Sequence, residues 1–266
     1  MNPPIRSWLG LRIWIVGASS GIGAALAKEL ARQGAELILS ARRLAPMQAL
    51  GIEQANLVAL DVCDQAQWLK ASEQVLAGDK VDLIIWMAGI YRPVSSTNYR
   101  LNDVLAMTQT NYLSLLYALD QLLPYFLNRS KLKPRPVSGL VIVSSVAGYR
   151  GLPKALAYGP SKAALSHLAE VLHLELSPEG IAVWAVHPGF VQTPATAIND
   201  FHMPALISAE QAAREIVRGL ERSAFEIHFP RRFTLLMKCL RWLPDRLYFA
   251  LLRRALSGND PRQGKQ

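Results

Sequence analysis

The 266-residue chain predicts an α/β fold: a doubly wound parallel sheet of about seven strands flanked by helices, with a helical appendage at its C-terminal end. Three observations carry this. Short apolar runs alternate with longer amphipathic ones, the first run leads through a glycine-rich turn into a helix, and a basic amphipathic segment follows the last alternation. The apolar runs cover residues 12–16, 36–40, 57–60, 82–86, 139–144 and 181–187, and several are rich in Val and Ile. Continuous runs of that length suit strands buried on both faces of a parallel sheet. Helix-like segments at 21–33, 64–76, 102–127 and 158–176 lie between them. Right-handed crossovers place such helices on both faces. Residues 128–138, with Lys131, Lys133, Pro134, Arg135 and Pro136, read as an exposed connection. No repeat or linker divides the chain, so 1–230 reads as one domain and 231–266 as its extension.

Composition excludes several classes. With 51% hydrophobic and 18% charged residues, the chain is too apolar for a disordered protein. Cys63 and Cys239 stand alone, which excludes a disulfide scaffold or a zinc ribbon. The apolar run at 13–16 is too short for a signal or a span, and 233–252 is interrupted by Lys238, Arg241, Pro244, Asp245 and Arg246. A cytoplasmic location is the expectation. The net charge of +9 is uneven: residues 231–266 hold nine Lys or Arg against two acidic residues, which leaves the remainder near neutrality. A nucleic-acid partner is therefore not expected of the main body.

The first strand enters Gly17-Ala18-Ser19-Ser20-Gly21-Ile22-Gly23, and a helix follows. Gly17 suits the tight turn, Gly21 lets backbone approach a diphosphate, and Gly23 allows close packing of the helix. The helix N-terminus offers free N–H groups and a positive dipole end to the anion. The second strand ends at Arg42-Arg43, with no acidic residue between Ser40 and Leu50. A carboxylate there would hold both ribose hydroxyls, whereas a guanidinium pairs with a 2′-phosphate. NADP(H) is thus expected in preference to NAD(H).

The fifth run ends at Ser144-Ser145, and thirteen residues after Ser145 comes Tyr158-Gly159-Pro160-Ser161-Lys162. Tyr158 and Lys162 are four apart, on one helix face. A free phenol titrates near 10, and an adjacent ammonium would lower that value. The pair is suited to exchanging a proton with an alcohol oxygen, which a serine hydroxyl can hold.

These residues together resemble the short-chain dehydrogenase/reductase superfamily, in its compact single-domain branch with a Rossmann-type sheet. The resemblance spans about residues 12–229. It implies that Asp61 and Val62 contact adenine, that Ala88 and Gly89 allow backbone approach to the cofactor, and that Asn111, Ser145, Tyr158 and Lys162 form the catalytic set. It further implies that Pro188, Gly189, Val191 and Thr193 line the nicotinamide site. Lys162 would bind ribose hydroxyls, and Asn111 would hold a water leading from Lys162 to solvent. Val16, Trp86 and Met87 depart from the family, which has polar residues tying strands one and four; packing is expected to replace those bonds. The implied activity is hydride transfer between NADP(H) and a small carbonyl or alcohol, with Tyr158 as general acid/base. A non-catalytic dinucleotide-binding or membrane-associated scaffold is the alternative, and the intact catalytic set argues against it.

Residues 194–207, with Phe201, Met203, Pro204, Leu206 and Ile207, occupy the family's lid position, and their apolar content points to a hydrophobic substrate. His187 precedes Pro188-Gly189 and reads as structural. His167 and His173 are six apart, poor spacing for a shared metal, so no metal site is expected. Relatives often pair through the helices at 102–127 and 158–176, which makes a homo-oligomer an expectation. In the tail, Leu236, Leu240 and Leu243 repeat at helical spacing. After Pro244, so do Leu247, Tyr248, Leu251, Leu252, Ala255 and Leu256. Three readings remain open for 231–256: a contact with anionic lipid, a stripe packed on the substrate side or a partner subunit, and ordinary packing with a solvated basic rim.

Overall fold

The computed structural model describes residues 1–77, 81–131, 137–199 and 203–257, apart from the side chains of 255–257. Lys133, Pro134, Arg135 and Pro136 of the expected connection, Phe201 of the lid segment, the side chains of Ala255 and Leu256, and residues 258–266 of the extension lie outside that description.

Seven strands form one parallel sheet. They are β1 (Arg12–Val16), β2 (Glu36–Ala41), β3 (Asn56–Ala59), β4 (Leu83–Trp86), β5 (Gly139–Val143), β6 (Ala182–Pro188) and β9 (Glu226–Phe229). A separate pair, β7 (Val191–Gln192) and β8 (Ile207–Ser208), sits outside the sheet. The spatial order is β3-β2-β1-β4-β5-β6-β9, so the direction of winding reverses between β1 and β4. In such sheets a crevice opens at that reversal, beyond the strands' carboxyl ends. The six strands expected from the sequence are all present, with no end displaced by more than one residue.

The helices are α1 (Gly21–Arg32), α2 (Ala45–Gln48), α3 (Gln65–Leu76), α4 (Leu101–Thr108), α5 (Ser114–Ser130), α6 (Tyr158–Leu176), α7 (Ala209–Leu220), α8 (Arg231–Trp242) and α9 (Asp245–Ser257). One core layer joins β-strand residues such as Ile13 and Trp184 to α1 and α7. The other joins Trp14, Ile84 and Ile142 to α3, α5 and α6. Alternate strand residues thus feed opposite layers, as a sheet buried on both faces requires. The helix expected at 102–127 is not one continuous α-helix. It is interrupted by a π turn at Gln109–Leu113, which joins α4 to α5.

Val16 and Trp86 are register partners on β1 and β4. Trp68 of α3 lies 5.5 Å from Trp14 and stacks on Trp86 at 5.4 Å. The Met87 N–H donates to the Val16 carbonyl at 2.8 Å. Ring packing and backbone bonding therefore hold the two strands where the family uses polar side chains.

The tail folds back onto the main body. Thr234, Met237 and Tyr248 are buried. Arg150 donates to the carbonyls of Leu240 and Leu243, pairs with Asp245, and lies 3.9 Å from the Tyr248 ring centroid. The Tyr248 hydroxyl donates to the Gly151 carbonyl at 2.6 Å. The apolar stripe read from the sequence is split by this docking. Tyr248 faces inward, whereas Leu236, Leu247 and Leu251 face outward, because the contact is made by Thr234 and Met237 one residue out of phase with the leucines.

Candidate active site

The carboxyl ends of β1, β4, β5 and β6 border a cleft of about 610 Å³. Its floor near β1 is the glycine turn. Gly17 adopts φ +96°, and a Cβ there would meet the Ala88 backbone nitrogen at 2.7 Å. Gly23 lies so close to the turn that a Cβ would stand 2.2 Å from the Gly17 carbonyl oxygen. Both strand ends and the helix can approach only because these positions lack side chains. Gly21 faces Thr193 across the cleft.

The N-terminus of α1 is left open. Its N-cap, Ser20, makes no side-chain capping bond. By contrast, the Asp64 carboxylate caps α3, and Ser208 with Gln211 forms a reciprocal capping box on α7. An uncapped first turn presents N–H donors to an anion. Ser19, Ser20, Gly21, Ile22 and Gly23 all line the cleft here.

Beyond β2, Arg42 lines the cleft together with Ala41. Arg43 does not; it is exposed and outside the lining. The chain has left β2 at Ala41, and successive side chains diverge there. Asp61 and Val62 line the neighbouring wall, and Asp61 Oδ1 accepts from the Cys63 N–H at 3.0 Å. Ala88 and Gly89 after β4, and Pro188, Gly189, Val191 and Thr193 after β6, complete that side.

Tyr158, Lys162 and Ser145 also line the cleft. Ser145 ends β5 and caps a short 3₁₀ turn, its Oγ accepting from the Ala147 N–H at 3.1 Å. Tyr158 is its neighbour in the cleft. Lys162 Nζ donates to the Val143 carbonyl at 2.9 Å and lies 5.7 Å from the Tyr158 ring centroid. Burial pushes the Tyr158 phenol up to about 12, against the opposing influence of the neighbouring Ser145 hydroxyl, with the nearby Tyr91 adding to the rise. Burial also pushes the Lys162 ammonium down to about 8. The sequence expectation that Lys162 lowers the Tyr158 value is therefore corrected: desolvation dominates both groups, and the ammonium is aimed at a carbonyl rather than at the phenol.

Asn111 does not line the cleft. It sits buried in the π turn, its Oδ1 accepting from the Ile90 N–H at 2.7 Å. Its Nδ2 donates to the Ile90 carbonyl and to Ser161 Oγ, each at 3.0 Å. The extra residue of a π turn rotates a side chain off the helical face, a device common at functional sites. Gly89 is the contact point: a Cβ there would lie 3.4 Å from both Asn111 Oδ1 and Lys162 Nζ.

The sequence reading missed much of the outer cleft. Tyr91 packs edge-on to Tyr158 at 5.0 Å between centroids. Arg92, Leu152, Phe190 and Phe233 also line it. Phe233 comes from α8 and lies 5.6 Å from Phe190. In the lid segment the lining groups are Pro194, Ala195, Thr196 and Asn199, whereas Leu206 is exposed. No sequence signal marks Tyr91 or Phe233, because long-range packing brings them there.

His187 lies outside the cleft. Its Nε2 is 2.8 Å from Ser166 Oγ and its Nδ1 3.2 Å from Glu226 Oε1. Burial works to raise the Glu226 carboxyl. Hydrogen bonds from Lys238 and Tyr149, with the nearby His187 ring, outweigh it and hold the group well below the usual carboxylate range. This polar cluster ties β9, α6 and α8 together.

A parallel doubly wound sheet with a glycine turn at its first crossover defines a dinucleotide-binding architecture. Residues 12–201 match the short chain dehydrogenase family, and the chain belongs to it. An uncharacterized oxidoreductase of Myxococcus xanthus is 33% identical over 250 residues, 90% of this chain and 95% of that protein. The 11-beta-hydroxysteroid dehydrogenase-like protein 4A of Arabidopsis thaliana is 31% identical over 80% of this chain and 74% of its own length. Among solved structures, a short chain dehydrogenase from Burkholderia cenocepacia in complex with NADP shares the fold. Its TM-score is 0.79, over 92% of this chain and 98% of that one, at 22% identity.

Proposed function

We propose that the protein is an NADP(H)-dependent oxidoreductase that transfers a hydride between the nicotinamide and a hydrophobic carbonyl or alcohol, with Tyr158 as general acid/base. The observation that carries this reading is the convergence of Ser145, Tyr158 and Lys162 on the same cleft as an uncapped helix N-terminus. The cleft fits a dinucleotide. The α1 N-terminus with Ser19, Ser20, Gly21 and Ile22 would hold the diphosphate, Arg42 the 2′-phosphate, and Asp61 and Val62 the adenine edge. Val191 and Thr193 would hold the nicotinamide carboxamide. NADPH supplies the hydride when bound.

The chain's own residues then handle the proton. A phenol held near 12 remains protonated at neutral pH and is suited to donate to a developing alkoxide. Ser145, beside Tyr158 in the cleft, would hold that same oxygen. Lys162 would bind the ribose hydroxyls, and Asn111, fixed by Ile90 and Ser161, would position a water beside it. Tyr91, Leu152, Phe190 and Phe233 give the substrate end aromatic and aliphatic walls that favour an apolar carbonyl.

The test is NADPH oxidation, followed at the nicotinamide absorbance, against a panel of aliphatic, aromatic and polycyclic aldehydes and ketones, with NADH in parallel. The reading expects turnover of an apolar member and a higher kcat/KM with NADPH. Tight NADPH binding without turnover across the panel would replace it with the non-catalytic alternative.

A further inference from the structure

We propose that the outer face of α8 and α9 is a docking surface for an anionic lipid membrane. The inner faces of both helices are already used: Thr234, Met237 and Tyr248 are buried, and Arg150 clamps the elbow between the helices. The outer face should then be polar, as on an ordinary surface helix. It is not. On α8, Leu235, Leu236, Cys239 and Trp242 recur at helical spacing opposite the buried side, and all are exposed; Trp242 is 86% exposed. On α9, Leu247, Phe249 and Leu251 are also exposed, each about half.

The charge around this surface selects the occupant. Residues 231–257 hold seven Lys or Arg and one Asp. Lys238 is used by Glu226, and Asp245 by Arg150. Arg231, Arg232, Arg241, Arg246, Arg253 and Arg254 are exposed on the same two helices. Apolar side chains rimmed by arginine suit a bilayer surface: the leucines and tryptophan enter the headgroup boundary, and the guanidiniums meet lipid phosphates and carboxylates. A second copy of this chain fits worse, because pairing like faces would bring two strongly basic surfaces together. The contact is peripheral, since among the described residues no helix is long and apolar enough to cross a membrane. Phe233 lies on the same helix and faces the cleft, so docking would bring the substrate end of the cleft near the bilayer.

The experiment is flotation of the full chain with vesicles of phosphatidylcholine alone and of phosphatidylcholine mixed with phosphatidylserine, at low and high salt. The wild type is expected to float with the serine-containing vesicles, to be released by salt, and to ignore phosphatidylcholine alone. Trp242 emission should shift to shorter wavelength on binding, and Trp242→Phe should lose that shift. Leu236→Glu/Trp242→Glu should weaken binding at least about tenfold, and each reversal among Arg232→Glu and Arg246→Glu about fivefold. All of these positions are exposed, and unchanged circular dichroism and NADPH affinity would show that the fold and cleft persist. Wild-type protein staying with the unbound fraction, or the double glutamate variant floating like wild type, would overturn the proposal. So would a wild-type dimer that the double variant splits in sedimentation, because that would assign the face to a second copy.

Discussion

The two ends of the parallel sheet bury polar side chains in opposite ways. At the amino end, Asp82 before β4 pairs with Arg129 of α5 and accepts the Arg12 N–H at 2.8 Å. Arg129 also donates to the Tyr125 hydroxyl at 2.7 Å, and that hydroxyl donates to the Val81 carbonyl. At the carboxyl end, Tyr158 and Lys162 are displaced from their ordinary titration ranges in opposite directions, to about 12 and about 8. Charge is neutralised by charge at one end. At the other, a desolvated cation donates to a carbonyl, and a desolvated phenol packs beside Tyr91 and Ser145. The amino end uses its polar groups to hold the fold. The carboxyl end keeps them underserved, which is the condition in which a ligand can gain most by meeting them.

Five substitutions would break or sharpen this contrast. Tyr158→Phe removes the proton donor while leaving the ring packed on Tyr91. Turnover should fall about a hundredfold to ten-thousandfold, with NADPH affinity little changed in a fluorescence titration. Asp82→Ala strands Arg129 in the interior and should cost about 3–5 kcal/mol in urea unfolding, whatever its effect on turnover.

Lys162→Met should abolish activity yet raise stability by about 1–3 kcal/mol at pH 7. The sign follows from the proton balance. The Lys162 value is lower in the folded state, so between about pH 8 and 10.5 the unfolded chain holds more protons and wild-type stability rises with pH. The variant's advantage should therefore be full below about pH 8 and fade by about pH 10.5, measured as the gap in thermal midpoint. The smallest contrast compares two helix caps. Ser208→Ala should destabilise by about 1 kcal/mol, because it removes the α7 capping box. Ser20→Ala should leave stability nearly unchanged, since Ser20 caps nothing, and should instead weaken NADPH binding in calorimetry.

Much of this was legible in the sequence because it is written locally. The apolar runs at 12–16 and 139–144 and the spacing of Tyr158 and Lys162 need no tertiary information. Other features could have been read but were not: Ser208 and Gln211 are a capping-box signature for α7, three residues apart before an amphipathic segment. The π turn at Gln109–Leu113 has no such signature, because its extra residue is stabilised by what Asn111 reaches across the fold. Burial likewise decided the titration of Tyr158 and Lys162, and burial belongs to the assembled cleft. A neighbour four residues away gives the right partner, but here it gave the wrong direction for the Tyr158 shift.

Arg150 joins two properties that are usually free to vary apart. It fixes the elbow of α8 and α9 against the main body, while Phe233 at the start of α8 forms part of the cleft wall. A chimera that exchanged residues 231–257 for those of a relative would change the substrate wall and the outward surface in one step. On the proposed docking of α8 and α9, what this enzyme accepts and where it settles would then be inherited as a single unit. A lineage diverging in this segment would acquire a new substrate and a new address together.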